Sequence, residues 1–182
     1  MEGYKPQDFS FFHRSEKLVQ HRVFFSFEYY KDNWRAGQVR NMGKVDGNST
    51  FSDNDWEEVK LKTDKEIKKW IDDQMSYRSC IVVLIGATTS TRKWVKYEIE
   101  KAYELGKGIV GIYVHGLKDK EGNQTTKGSN PFYNVFTDDG HRLSNYVTAY
   151  DTPYKTSPYV YDDIRNNIED LIQEAIDNAG TY

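Results

Sequence analysis

One cysteine, Cys80, and four prolines stand in 182 residues. A lone thiol excludes an internal disulfide framework and fits a reducing cytoplasm. It lies within an apolar run with no histidine nearby in sequence, so an inert core thiol is expected there rather than a nucleophile. The longest uncharged apolar stretch is about seven residues, far short of the roughly 20 that cross a bilayer, so no membrane span is expected. No long apolar region follows the first five residues, so no secretory leader is expected either. Lys and Arg form no block and the net charge is −3, which gives no footprint for nucleic acid. The four histidines, His13, His21, His115 and His141, lack zinc spacing, so no metal site is expected. A Walker A loop is absent. Gly106-Lys107-Gly108-Ile109-Val110-Gly111 matches the dinucleotide fingerprint by letter, yet it closes a helical pattern and opens a strand, the reverse of the required context.

Aromatic residues, by contrast, are abundant at 15%, with 14 tyrosines. Residues 1–21 are aromatic and without a clear period, and read as an extension packed on one domain spanning 22–182. A chain of this length buries about 70% of the surface that it exposes when unfolded. Arg22-Val23-Phe24-Phe25-Ser26-Phe27 is a β-rich run. Residues 30–41 suit a helix that Gly37 weakens, and residues 42–56 read as a loop with a short strand at 49–51. Thr63-Asp64-Lys65-Glu66 has the capping-box pattern ahead of Ile67, Trp70, Ile71, Gln74 and Met75 at helical spacing. The runs at 80–85 and 109–114 have the continuous apolar character of strands buried on both faces. A loop at 116–131, an edge strand at 144–150 and a long amphipathic helix complete the chain. Ser157-Pro158 should supply the Ncap and N1 of that helix, and Gly180 its end. Alternating strands and helices predict an α/β fold, a parallel sheet with helices on both faces. Ligands of such sheets lie beyond the carboxyl ends of the strands, here at 26–28, before Trp56, and at 86–91.

The segment 92–105 carries the oddest residue. As a helix it sets Val95, Ile99, Ala102 and Leu105 on one arc, with Trp94 at the edge and Glu98 inside the arc, ~60° from Val95. A carboxylate on the face that meets the sheet costs roughly 1–3 kcal/mol unless partnered. Its pKa should be raised, and it is a candidate functional group. Two blander readings compete: an ion pair with Lys101 at i+3, or a place at the rim where the helix leaves the sheet.

Ser90-Thr91-Arg92-Lys93-Trp94-Val95-Lys96-Tyr97-Glu98-Ile99 resembles the TIR-domain signature, a serine-rich loop entering a helix with Trp and, four residues later, Glu. Val23-Phe24-Phe25-Ser26-Phe27 resembles the first TIR strand. Together with Val39-Arg40-Asn41, the run 80–86 and Lys127-Gly128-Ser129-Asn130-Pro131-Phe132, these motifs are similar to the TIR-like subunits of bacterial Thoeris anti-phage systems. The resemblance covers about 22–132 and is looser over the C-terminal helix.

That family implies a flavodoxin-like, TIR-like fold and an enzyme that cleaves the nicotinamide–ribose bond of NAD, its substrate, with no further cofactor. Its product would be a cyclic or conjugated ADP-ribose signal, made when a phage-derived protein triggers the enzyme and sensed by a separate effector protein. Glu98 matches the catalytic glutamate by position. Phe27, Trp56 or Trp94 could stack on nicotinamide or adenine, and Arg35 or Arg40 could meet the pyrophosphate. Ser26 and Gly86 join the substrate site through their place at strand ends. Each has a structural alternative: Trp94 and Phe27 in core packing, the two arginines as solvated charges. Two other classes stay open, a non-enzymatic TIR scaffold that signals by self-association and a flavodoxin-like nucleotide binder. Glu28-Tyr29-Tyr30-Lys31-Asp32, where a flavin phosphate loop would stand, counts against FMN.

Overall fold

A computed structural model describes residues 21–45, 59 and 61–182. Among the described residues four strands form one parallel sheet in the order β1 (Val23–Ser26), β2 (Cys80–Ile85), β3 (Gly108–Tyr113), β4 (Ala149–Tyr150). The expected short strand at 49–51 and most of the N-terminal extension lie outside the described residues. Parallel strands need crossovers. Between these strands run α1 (Tyr29–Arg40), α2 (Asp64–Ser76) and α3 (Lys93–Glu104), while α4 (Ser157–Asp177) follows the last strand. Register pairs Ser26 with Val83 and Ile85 with Tyr113, so the carboxyl ends of β1, β2 and β3 reach one rim.

The period-2 alternation of side chains divides the core between the two faces of the sheet. On one face Val23, Phe25, Val82, Leu84, Val110 and Ile112 pack with α1 and α4 through Val39, Ile164, Ile168 and Ile172. On the other, Phe24, Ile81, Val83, Ile85 and Ile109 meet α2 and α3 through Ile67, Ile71, Met75, Val95 and Ile99. Every residue of β2 and β3 is buried, which is why these strands read as unbroken apolar runs. Each fully buried Ile or Leu contributes roughly 1.5–3 kcal/mol. At Gly111 a Cβ would meet the Phe132 ring at 2.8 Å, so glycine lets that ring lie directly on the strand.

One local expectation holds, and two elements differ from their expected bounds. The capping box forms as expected, Thr63 accepting from the Glu66 amide and Glu66 from the Thr63 amide. The edge strand shortens to two residues, because 143–147 coil into a turn with Tyr146 N and Val147 N both donating to Leu143 O. The long helix is capped one residue early, at Thr156, and the Ser157 hydroxyl accepts instead from Lys118 N at 3.0 Å; the helix ends at Asp177, ahead of Gly180.

Candidate active site

Ser26 closes β1 with its side chain on the Phe24 face, the side covered by α3. It is 1% exposed, and its hydroxyl donates to Glu98 Oε2. Glu98 is 6% exposed and shares the buried face of α3 with Val95, Ile99 and Ala102. The pairing with Lys101 does not form, because Lys101 pairs with Glu104 at 3.1 Å, and Glu98 is buried rather than solvated. Burial pushes the Glu98 carboxyl up to about 8, with the Ser26 hydrogen bond pulling the other way.

Glu98 does not end in the core. It forms part of the wall of an open pocket of about 700 Å³, counted to its solvent mouth. Phe27, Tyr29 and Tyr30 form one side; Arg92, Lys93, Trp94 and Val95, at the start of α3, form the other. The Phe27 and Tyr29 rings stack at 6.5 Å with 29° between planes, and Tyr30 stands edge-on to Tyr29 at 5.7 Å. Trp94 is braced edge-on by Tyr97 at 6.1 Å, and Lys93 Nζ lies 4.6 Å from its ring centre. A braced aromatic wall facing a buried acid suits a flat, cationic heterocycle joined to a sugar. Thus Ser26, Phe27, Trp94 and Glu98 come together. Trp56 lies outside the described residues.

The two arginines do not reach this pocket. Arg35 is 3% exposed, and all five of its N–H donors are engaged. Nε donates to Leu117 O at 2.9 Å, Nη1 to Lys31 O and Asp32 Oδ1 at 3.1 Å each, and Nη2 to Asn123 O at 2.9 Å and Asp119 Oδ2 at 3.3 Å. It clamps the 117–123 loop to α1 and has no donor left for a pyrophosphate. Arg40 is in the last turn of α1, ~16 Å along the axis from Tyr29. Gly86 does not line the pocket either. A Cβ there would overlap the Asp32 carboxylate, so this glycine makes room for a buried acid. Asp32 is pushed above its ordinary range by burial, against the pull of Arg35. Cys80, 1% exposed, is pushed up to about 12 by burial and is inert.

Sequence reading missed Glu28 and Arg92. Glu28 is 5% exposed; its Oε1 lies 2.6 Å from Arg92 Nη2, and its Oε2 accepts from the Thr88 hydroxyl. All three fall at the strand-end rim, the one signal that pointed to them.

The family model described as Thoeris protein ThsB, TIR-like domain, matches residues 24–119, more than half of the chain. The chain is also 39% identical over 134 residues to "Putative cyclic ADP-D-ribose synthase ThsB1" of Bacillus cereus (strain MSX-D12), covering 69% of each protein.

Proposed function

The chain belongs to the TIR-like domain family of the Thoeris protein ThsB, and from that membership and the pocket we propose that it cleaves NAD and makes an ADP-ribose signal. The observation that carries this reading is Glu98, a buried acid held by Ser26 and opening onto an aromatic-walled pocket. A purely structural role would leave an acid on a core face at a net cost, which among the described residues is offset by the Ser26 hydroxyl alone. That same point weighs against a scaffold acting only by self-association.

The geometry fits the chemistry. The nicotinamide–ribose bond breaks with its electron pair going to the ring nitrogen, which neutralises the departing cation and leaves oxocarbenium character on the ribose. Phe27 and Trp94 hold the departing ring by stacking. Glu98 faces the ribose: protonated, it hydrogen-bonds the sugar hydroxyls, and ionised, it stabilises the developing positive charge. With a pKa of about 8 in the empty pocket it rests mainly protonated at neutral pH. The cationic nicotinamide ring would lower that pKa, so that the proton passes to solvent through the open mouth of the pocket. A nucleophile within the same molecule then yields a cyclic product, and one from another molecule yields a conjugate. NAD acts as substrate, with no further cofactor.

The remainder of the reading rests on the relative's name and the family resemblance. The product is a cyclic or conjugated ADP-ribose, released in the cytoplasm to a separate nucleotide-sensing effector, with a phage protein as the trigger and self-assembly completing the active form. Cells expressing the wild type or Glu98→Gln, infected with phage, test it by mass spectrometry of nucleotides. NAD loss with a new ADP-ribose product in the wild type alone is the expected result. Unchanged NAD in both, with the protein folded, would favour the scaffold, and equal activity in both would remove Glu98 from the chemistry.

A further inference from the structure

Arg92 does what Arg35 and Arg40 cannot. It precedes α3 in extended backbone, and its side chain, 43% exposed, lines the same pocket as Glu98. Nη2 is held 2.6 Å from Glu28 Oε1 and 3.3 Å from Thr88 Oγ1. The Thr88 hydroxyl in turn donates to the other Glu28 oxygen, closing a ring across the end of β1, the loop after β2 and the start of α3. Only one nitrogen of the guanidinium is used among the described residues. Among the described residues Nε and Nη1 make no hydrogen bond, so three N–H donors are left on a side chain already fixed in direction. A guanidinium held this way presents a preorganised fork to an anion and loses little rotamer freedom on binding.

Position along the helix adds the second constraint. Arg92 precedes Glu98 by six residues, ~9 Å along the axis. Both residues line one pocket, so a ligand with its sugar hydroxyls at Glu98 and its base against Phe27 and Trp94 has Arg92 within reach of its 5′ substituent. Two other cations stand nearby: Lys93, which also lines the pocket, pairs with Asp64 with its Nζ 4.6 Å from the Trp94 ring centre, and Lys31 Nζ donates to Thr88 Oγ1 at 3.4 Å. Arg92 is the pocket-lining cation aimed by the buried Glu28.

We propose that Arg92 is the phosphate-recognising residue of this pocket, with Glu28 and Thr88 as positioning residues that aim it, so that the site selects phosphorylated nucleosides over phosphate-free ones. The assignment rests on the reading that a nicotinamide ribose lies at Glu98. Its test is equilibrium binding by calorimetry, using the full chain carrying Glu98→Gln to prevent turnover, with ADP-ribose and nicotinamide riboside as probes. Arg92→Ala in that background should weaken ADP-ribose roughly ten- to hundredfold and nicotinamide riboside less than about twofold. Arg92→Lys should recover part of the loss, since charge remains and the fork is gone. Glu28→Gln should weaken ADP-ribose by an intermediate factor, about three- to tenfold, because Arg92 is kept but no longer aimed. Equal losses for both probes, an unchanged ADP-ribose affinity, or no binding of either probe by the folded parent would overturn the assignment. NAD cleavage by the wild type in phage-infected cells, measured separately, keeps the two ideas apart. Cleavage with ADP-ribose affinity indifferent to Arg92 sinks this subsite alone. Selective loss of ADP-ribose without NAD cleavage upholds the subsite and sinks the enzymatic reading.

Discussion

Glu98→Gln should make this protein more stable, and increasingly so as pH rises. The Glu98 carboxyl ordinarily titrates near 4.5 and is pushed up to about 8 in the fold, chiefly by burial. Between those values the folded state holds a proton that the unfolded chain has released. Stability therefore falls with rising pH in that window, by ~1.4 kcal/mol per pH unit. The contribution of Glu98 is fully present below about 4.5, is reduced by about 3 kcal/mol at pH 7, and levels off ~5 kcal/mol lower above pH 8. Glutamine has nearly the same shape, still accepts from the Ser26 hydroxyl, and carries no charge to bury. The gap between variant and wild type should thus be close to zero near pH 4.5 and about 3 kcal/mol at pH 7, a rise in Tm of roughly 6–12 °C for a domain of this size. Thermal melts of both proteins, followed by circular dichroism from pH 4.5 to 8.5, measure it. Other titrating groups are common to the two and cancel in the difference. A variant that melts below the wild type, or a gap independent of pH, would refute the burial argument. The expected result has a functional meaning, since a site that loses stability to keep an acid buried is under selection for something besides folding.

Two further outcomes follow from the same contacts. Ser26→Ala removes the hydrogen bond that favours ionised Glu98, so its pKa should move further up. The pH profile of NAD cleavage should then shift about one unit to higher pH, with kcat/KM at pH 7 falling roughly tenfold; a profile fixed in pH would show that Glu98 ionisation does not limit the reaction. Arg35→Ala strips five hydrogen bonds and leaves the Asp32 carboxylate buried without its cation. Urea unfolding should register a loss of about 3–5 kcal/mol with protease sensitivity appearing at 117–123, and a loss under ~1 kcal/mol would mean that the clamp is dispensable.

Much of the fold was legible because helix and strand periods are written in neighbours two to four residues apart. Cys80–Ile85 emerges with the bounds read from its apolar run, and Thr63 caps its helix as its spacing to Glu66 implied. Glu98 stood out for the same reason, as a charge out of phase with its own helix. Failures cluster where a side chain's partner comes from elsewhere. Ser157 looks like a cap until the Lys118 amide takes its hydroxyl. The stretch 144–150 looks like a strand, yet only Ala149 and Tyr150 find a neighbour in β3. Arg35 looks like a surface cation on a polar helix until the 117–123 loop folds over it.

By itself, then, the sequence determined the alternation of strands and helices, the burial of the central strands, the misplaced acid and the family to which its motifs belong. Tertiary structure decided which partners that acid and the arginines have. Ser26 and Glu98 are 72 residues apart in the chain and meet because a crossover lays α3 against the end of β1. Glu28 and Arg92 meet across the same rim, while Arg35, nearer to Glu28 in sequence, faces the opposite loop. Local periodicity sets the face on which a side chain stands. Only the packing of distant segments sets what it touches, and with that its charge, its pKa and its use.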